Sequence, residues 1–225
     1  MQKVVRAQYR AALQKDLPDA ALAPAVAACR QKAAAEIEAG RLLTGGVFRC
    51  KTLLFAYMEY LAGEETFHPQ HIPDEWFAPL APFLCDWPAL TGPAKWAFMY
   101  PVFWVDEPQS PASWARQTQP DARCGRIAVL YPDKLFSYVC HHQALVAEGL
   151  LVGDRYQFIS LHENILFSYF ETPRDRERVN IRRSSAPSQE IERWKAADPP
   201  AHFYHFPAAN GADFLIIPTL FDVGR

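Results

Sequence analysis

The sequence predicts an α+β protein built from two copies of one βαββαβ unit, and three observations carry that prediction. Lys51-Thr52-Leu53-Leu54-Phe55-Ala56-Tyr57-Met58-Glu59 reads against Glu163-Asn164-Ile165-Leu166-Phe167-Ser168-Tyr169-Phe170-Glu171, with Leu, Phe, Tyr and Glu at matching places. Two more matches follow in the same order: Glu75-Trp76-Phe77-Ala78 with Arg193-Trp194-Lys195-Ala196, and Tyr100-Pro101-Val102-Phe103-Trp104 with Ile217-Pro218-Thr219-Leu220-Phe221. Phe55 and Phe167, Trp76 and Trp194, and Pro101 and Pro218 lie 112, 118 and 117 residues apart. Shared order at nearly constant spacing indicates duplication of a unit of roughly 110 residues. Finally, both halves spell strand, helix, two strands, helix, strand.

In the first half, Lys3 to Leu13 alternates loosely and reads as a strand. After Leu17-Pro18-Asp19, an Ala-rich segment to Ala39 is filled with strong helix formers, and Gly40 stands where a helix C-cap belongs. Leu42 to Arg49 and Lys51 to Tyr60 read as strands. A shorter helix opens at Ile72-Pro73-Asp74, with Asp74 supplying first-turn negative charge. Trp96 to Val105 is the closing strand.

The segment 107–123 is rich in Pro, Ser and Gln and lacks periodicity, so it reads as the linker between units at 1–106 and 124–225. In the second half, Arg126 to Tyr131 is a short apolar strand, and Pro132-Asp133 starts a helix that runs to Glu148-Gly149. Arg155 to Leu161 and Asn164 to Thr172 form a hairpin around His162-Glu163. Ser185 to Ala197 is a helix with Ser185 and Ser188 as candidate caps, and Phe214 to Val223 is the final strand. This order is the split-βαβ arrangement of ferredoxin-like folds. Two fused units with their sheets face to face would form, in one chain, the dimeric α/β-barrel that other chains build from two, enclosing a pocket.

Composition narrows the function. Half of the 225 residues are hydrophobic, ample for a core, and the formal charge of −2 comes without a basic run, which argues against nucleic acid as a partner. The longest apolar stretches are too short for a bilayer, and the polar start at Gln2-Lys3 lacks a signal-peptide core. Five scattered cysteines without a CxxC pair give neither a disulfide framework nor a Cys-rich zinc site. A cytoplasmic protein with reduced thiols is expected. The mixed-charge run Arg174-Asp175-Arg176-Glu177-Arg178 with Arg182-Arg183 reads as a solvated loop. Gly45-Gly46 has no following Lys-Ser/Thr and reads as a turn instead of a phosphate cradle.

The chemistry-bearing residues cluster in the second half. Tyr138-Val139-Cys140-His141-His142 puts Tyr138 and His142 four apart, hence on one helix face one turn apart. A phenol against an imidazole can handle protons, or can be a half-buried His packed on a sheet. His141, His142, His162, His202 and His205 with Glu163 raise a metal site, but no known zinc spacing joins them, so no metal is expected. The aromatic residues serve core packing or, where they face a pocket, ligand stacking.

The strand, the helix with Tyr138-x-x-x-His142, the Leu166-Phe167-x-x-x-Glu171 strand and the Trp194-Lys195 helix together resemble the L-rhamnose mutarotase family. The resemblance covers about 90 residues of the second half and implies a dimeric α/β-barrel in which His142 is the proton donor beside Tyr138 during interconversion of sugar anomers. On that reading Trp194 stacks on the sugar ring, while His162, Glu163 and Asp222 supply a base or hydrogen bonds to hydroxyls, without metal or organic cofactor. The ligand is a small molecule, expected to be a sugar, with no nucleic-acid or membrane partner and with homo-oligomerisation open. The first half carries Val26 and Arg30 where Tyr138 and His142 stand, so one site per chain is implied. Two other classes stay open: a non-catalytic ligand-binding or sensory protein, and an oxygenase or haem-binding relative of the same barrel.

Overall fold

A computed structural model describes residues 2–63, 74–88, 92–174, 180–181 and 188–225. In chain order the elements are β1 (Lys3–Ala12), α1 (Asp19–Glu38), β2 (Leu42–Cys50), β3 (Leu53–Ala62), α2 (Asp74–Phe77), β4 (Ala97–Trp104), α3 (Pro111–Trp114), β5 (Ala122–Leu130), α4 (Leu135–Glu148), β6 (Leu151–Val152), β7 (Phe158–His162), β8 (Ile165–Thr172), β9 (Asn180–Ile181), α5 (Gln189–Ala196), β10 (Phe203–Tyr204), β11 (Leu215–Ile217) and β12 (Thr219–Gly224). The chain is an α+β protein. It divides into two compact units: unit 1 holds 1–99, 108–119 and 218–225, and unit 2 holds 100–107 and 120–217.

Unit 1 is an antiparallel sheet ordered β4-β1-β3-β2-β12, with β1 and β3 paired over their full length from Lys3 opposite Ala62 to Ala12 opposite Leu53. Lys51, with φ of 54°, turns the chain between β2 and β3, so the second of these strands begins two residues later than the sequence pattern suggests. α1 ends where expected: Gly40 takes φ of 71°, and the Gly40 and Arg41 N–H groups return to the Ile37 and Glu36 carbonyls. Its buried Leu22, Cys29 and Ala33 pack on Ala7, Tyr9 and Ala11 of β1.

Unit 2 has the antiparallel order β10-β5-β8-β7, with β11 also on β5 and residues 100–104 of β4 on β7. The β7–β8 turn falls at His162-Glu163, with Glu163 at φ of 55°. Pro132–Lys134 is a 3₁₀ turn leading into α4, which ends at Gly149 with φ of 70°. α5 is capped by Ser188, whose Oγ accepts from the Ile191 N–H at 3.0 Å.

Three expectations change. The final strand is two strands, because Pro218, which has no N–H for a ladder, separates β11 in unit 2 from β12 in unit 1. Gly45-Gly46 is no turn: both lie in β2, and a Cβ on Gly46 would stand 3.3 Å from the ring of Phe48 on the same strand and 3.4 Å from Asp222 Cβ on β12. Within the segment read as a linker, 107–123, Pro111–Trp114 is helical and Trp114 is fully buried in unit 1, while Ala122 and Arg123 are already paired in β5. The short helix is present from Asp74 as α2, while Ile72 and Pro73 at its opening, the Ser185 cap and most of the Arg174–Arg183 loop lie outside the described residues. Among the described residues no helix is long and apolar enough to cross a membrane.

Candidate functional site

α4 delivers Tyr138 and His142 to the face that packs on the unit 2 sheet, and both are buried. Their rings stack at 3.8 Å between centroids, with 22° between planes. The His142 Nδ1 lies 2.9 Å from the Tyr138 carbonyl oxygen one turn back. A carbonyl only accepts, so Nδ1 carries the proton and Nε2 presents a lone pair. Among the described residues that lone pair has no hydrogen-bond partner. Burial, opposed in part by the hydrogen bond to Tyr138, holds the His142 imidazole down at about 4, so it is neutral at pH 7. Burial likewise pushes the Tyr138 phenol far above its ordinary range, so it stays protonated.

Trp194 on α5 closes this group. Its indole meets Tyr138 and His142 edge-on at 5.8 and 4.8 Å. It also packs against His141 and against His202, the latter bridging Ser137 Oγ at 2.9 Å and the Asp198 carbonyl at 3.1 Å. Phe103 sits edge-on to His142 at 5.5 Å.

Tyr138, His142 and Trp194 line one cavity of about 640 Å³ within unit 2, with Phe103, Phe203 and Phe214 among its apolar walls. That volume suits a small organic molecule of one to a few rings. The remaining nominated residues lie elsewhere. His162 and Glu163 are at the β7–β8 turn, Glu163 exposed, and neither lines the cavity; Asp222 is on β12 of unit 1, opposite Gly46. Among the described residues no three His, Cys, Asp or Glu side chains gather to hold a metal ion.

The cavity also contains charged residues that the sequence reading did not nominate, Arg126, Lys195 and Asp213, together with Arg174, which it placed in a solvated loop and which is instead largely buried against Asp154. Arg126 comes from the middle of β5, where it is opposite Ser168 and donates from Nε to its hydroxyl at 3.2 Å. The signal was present in the sequence, since a lone Arg ahead of Ile127-Ala128-Val129-Leu130 interrupts an apolar strand. Burial pushes the Asp213 carboxyl up, against the opposing pull of His205.

No family model matches this chain, and no curated protein matches it. Among solved structures, a "putative monooxygenase" from Lactobacillus acidophilus NCFM aligns with 97% of this chain and 96% of its own at 8% identity and a TM-score of 0.45. A "putative monooxygenase" from Fusobacterium nucleatum aligns with 99% of this chain and 95% of its own at 10% identity and a TM-score of 0.44.

The mutarotase expectation is corrected. The group assigned as proton donor has its one proton on Nδ1, committed to the Tyr138 carbonyl, and its Nε2 is unprotonated. With its imidazole at about 4, His142 is an acceptor at neutral pH. Tyr138 meets it through stacked faces, which fixes the ring without passing a proton to it.

Proposed function

We propose that unit 2 binds a small, flat, largely apolar molecule that lays its ring against Trp194 and Phe203 and donates a hydrogen bond to His142. One observation carries this: a neutral imidazole whose Nδ1 is committed to the Tyr138 carbonyl, leaving Nε2 as an acceptor on the wall of a mostly apolar cavity. A ligand hydroxyl or N–H in the cavity can donate to this acceptor, a net gain of about 1 kcal/mol.

The test compares 2-naphthol with 2-methoxynaphthalene, the same ring without the donor. Naphthol should bind about tenfold more tightly by titration of tryptophan fluorescence, the value of one net hydrogen bond, and His142→Phe should remove the difference. Equal binding of the two ligands by the unaltered protein would overturn the reading.

A second reading, oxygenation of the bound molecule, is favoured by the same cavity setting the unprotonated Nε2 among aromatic walls. There the neutral imidazole accepts a hydrogen bond from the ligand hydroxyl without taking its proton, and dioxygen is the oxidant: 1-naphthol and O2 give 1,4-naphthoquinone and water. Oxygen uptake with 1-naphthol that disappears in His142→Phe is the expected result; no uptake leaves binding alone.

For the fold, we propose that the units are copies of one ferredoxin-like βαββαβ unit. The strand orders β4-β1-β3-β2 and β10-β5-β8-β7 support this, as does the repeated sequence. Exchanging Tyr9 and Arg126, described below, tests the implied register.

A further inference from the structure

We propose that Arg126 is the anion receptor of the unit 2 cavity, and that its ligand is a flat acid: a ring bearing one carboxylate, with a donor at its other end for His142. The inference rests on the pocket reading above and names the ligand class for it.

The guanidinium of Arg126 lies between two aromatic rings, its Cζ 4.7 Å from the Phe214 centroid and 5.1 Å from that of Phe170. Of its five N–H donors, only Nε is used among the described residues, on the Ser168 hydroxyl. Among the described residues no carboxylate lies within ion-pair distance of it. The other two cations on the described wall are paired. Arg174 donates to Asp154 and, at 3.3 Å, to Gln157. Lys195 meets Glu192 at 2.8 Å, and Asp213 meets His205 at 3.8 Å. Arg126 is therefore the one cation of the described wall with no ion-pair partner among the described residues.

Burial, then the neighbouring charge of Arg174, lowers the Arg126 guanidinium to about 10, which still leaves it charged at neutral pH. Aromatic faces offset part of the desolvation of such a cation, but they do not replace a counter-ion.

The duplicated unit serves as an internal control. At the matching register position unit 1 carries Tyr9, which is fully buried in the packed core. The helix-on-sheet layer thus forms without a charge at this place, so folding does not require Arg126. A guanidinium fork matches a carboxylate in two parallel hydrogen bonds.

The test uses 6-hydroxy-2-naphthoate, its neutral amide 6-hydroxy-2-naphthamide, and 2-naphthol. On the unaltered protein the acid should bind about 30-fold more tightly than the amide, in line with hydrogen bonds to a charged group. Arg126→Met should bring that ratio within about threefold, chiefly by weakening the acid. This variant removes an uncompensated buried cation, so its melting temperature should hold or rise, which shows that it is folded. His142→Phe should weaken acid and amide together and leave their ratio intact. Equal affinity of acid and amide for the unaltered protein, or a ratio that survives in Arg126→Met, overturns the inference. If 2-naphthol binds while the acid does not, the pocket reading stands and Arg126 as receptor falls. If none of the three binds, both fall together.

Discussion

Where β1 faces α1, unit 1 carries Tyr9, and at the corresponding point of β5 unit 2 carries Arg126. Tyr9 is opposite Ala56 in the ladder and Arg126 is opposite Ser168, and those two partners hold the same place in the repeated apolar motif. The Tyr9 ring is fully buried, edge-on to Phe98 at 5.7 Å, in a core with Leu22, Cys29, Ala33 and Leu80. Around Arg126 the same layer is hollow, with a cavity of about 640 Å³ and a neutral His142 on its helix wall. Strand ladders and helix ends hold both layers, so the middle of the layer is free to be filled or emptied. One unit fills it with packed side chains, and the other leaves a cavity there.

Exchanging the two residues puts the greatest load on this comparison. Tyr9→Arg forces an unpaired cation into a filled core and should remove about 5 kcal/mol of stability or prevent folding altogether. Arg126→Tyr places an aromatic ring in a hollow and should leave stability level or raise it by about 1 kcal/mol. The same variant should lose the naphthoate. Urea denaturation midpoints of the two variants check both values, and equal destabilisation would break the correspondence of the two positions.

The sequence was most readable where periodicity and backbone chemistry coincide. Gly40, Gly149 and Glu163 end or turn their elements at the positions read from the pattern, and Ser188 caps α5. The Tyr138–His142 spacing put both side chains on one face of α4, which the stacked rings bear out. What the spacing could not convey is the environment. Burial decides whether His142 holds a proton, and burial is a tertiary property. Arg126, from β5, reaches the cavity through strand pairing with β8, a contact between residues distant in sequence. Asp222 and Glu163 were chemically suitable, but the chain carries one to β12 of unit 1 and the other to an exposed turn. Pro218 also marked a break that the apolar run around it concealed.

A second pair of matched residues, Glu59 and Glu171, sharpens the contrast at smaller cost. In each unit a buried Tyr two residues earlier donates to the carboxylate: Tyr57 to Glu59 at 2.5 Å, and Tyr169 to Glu171 at 2.6 Å. Glu59 also takes both guanidinium ends of Arg116, whereas the Arg123 Nε stays 3.8 Å from Glu171. Burial pushes the Glu59 carboxyl up, but the charge and hydrogen bonds of Arg116 outweigh it and hold the group below its ordinary value of 4.5. Glu59→Gln, which leaves Arg116 buried without its counter-ion, should remove about 3–5 kcal/mol. Glu171→Gln should remove about 2 kcal/mol, the scale of one charged hydrogen bond. Because the folded Glu59 binds its proton less readily than the unfolded one, its contribution is present above pH 4.5 and fades as the pH falls through the lowered folded value. The stability gap between wild type and Glu59→Gln should therefore narrow in acid. A gap that stays constant down to pH 3 would mean that the ion pair is not the source of the effect.

His142 gives the last and smallest contrast, since its counterpart on α1, Arg30, is exposed. Its folded value of about 4 lies below the ordinary 6.5, so between those two pH values the unfolded chain binds the extra proton and the folded chain does not. Stability must then rise with pH across this window. It is fully present above 6.5 and declines as the pH falls toward 4, by on the order of 3 kcal/mol if the whole difference is realised. His142→Phe should flatten that leg of the curve while leaving the more acidic leg due to Glu59, and chemical denaturation at half-unit steps from pH 3.5 to 7.5 separates the two. If the variant keeps the full slope between pH 4 and 6.5, His142 is not the titrating group. Its neutrality, on which the lone pair offered to the ligand depends, would then have no support in solution.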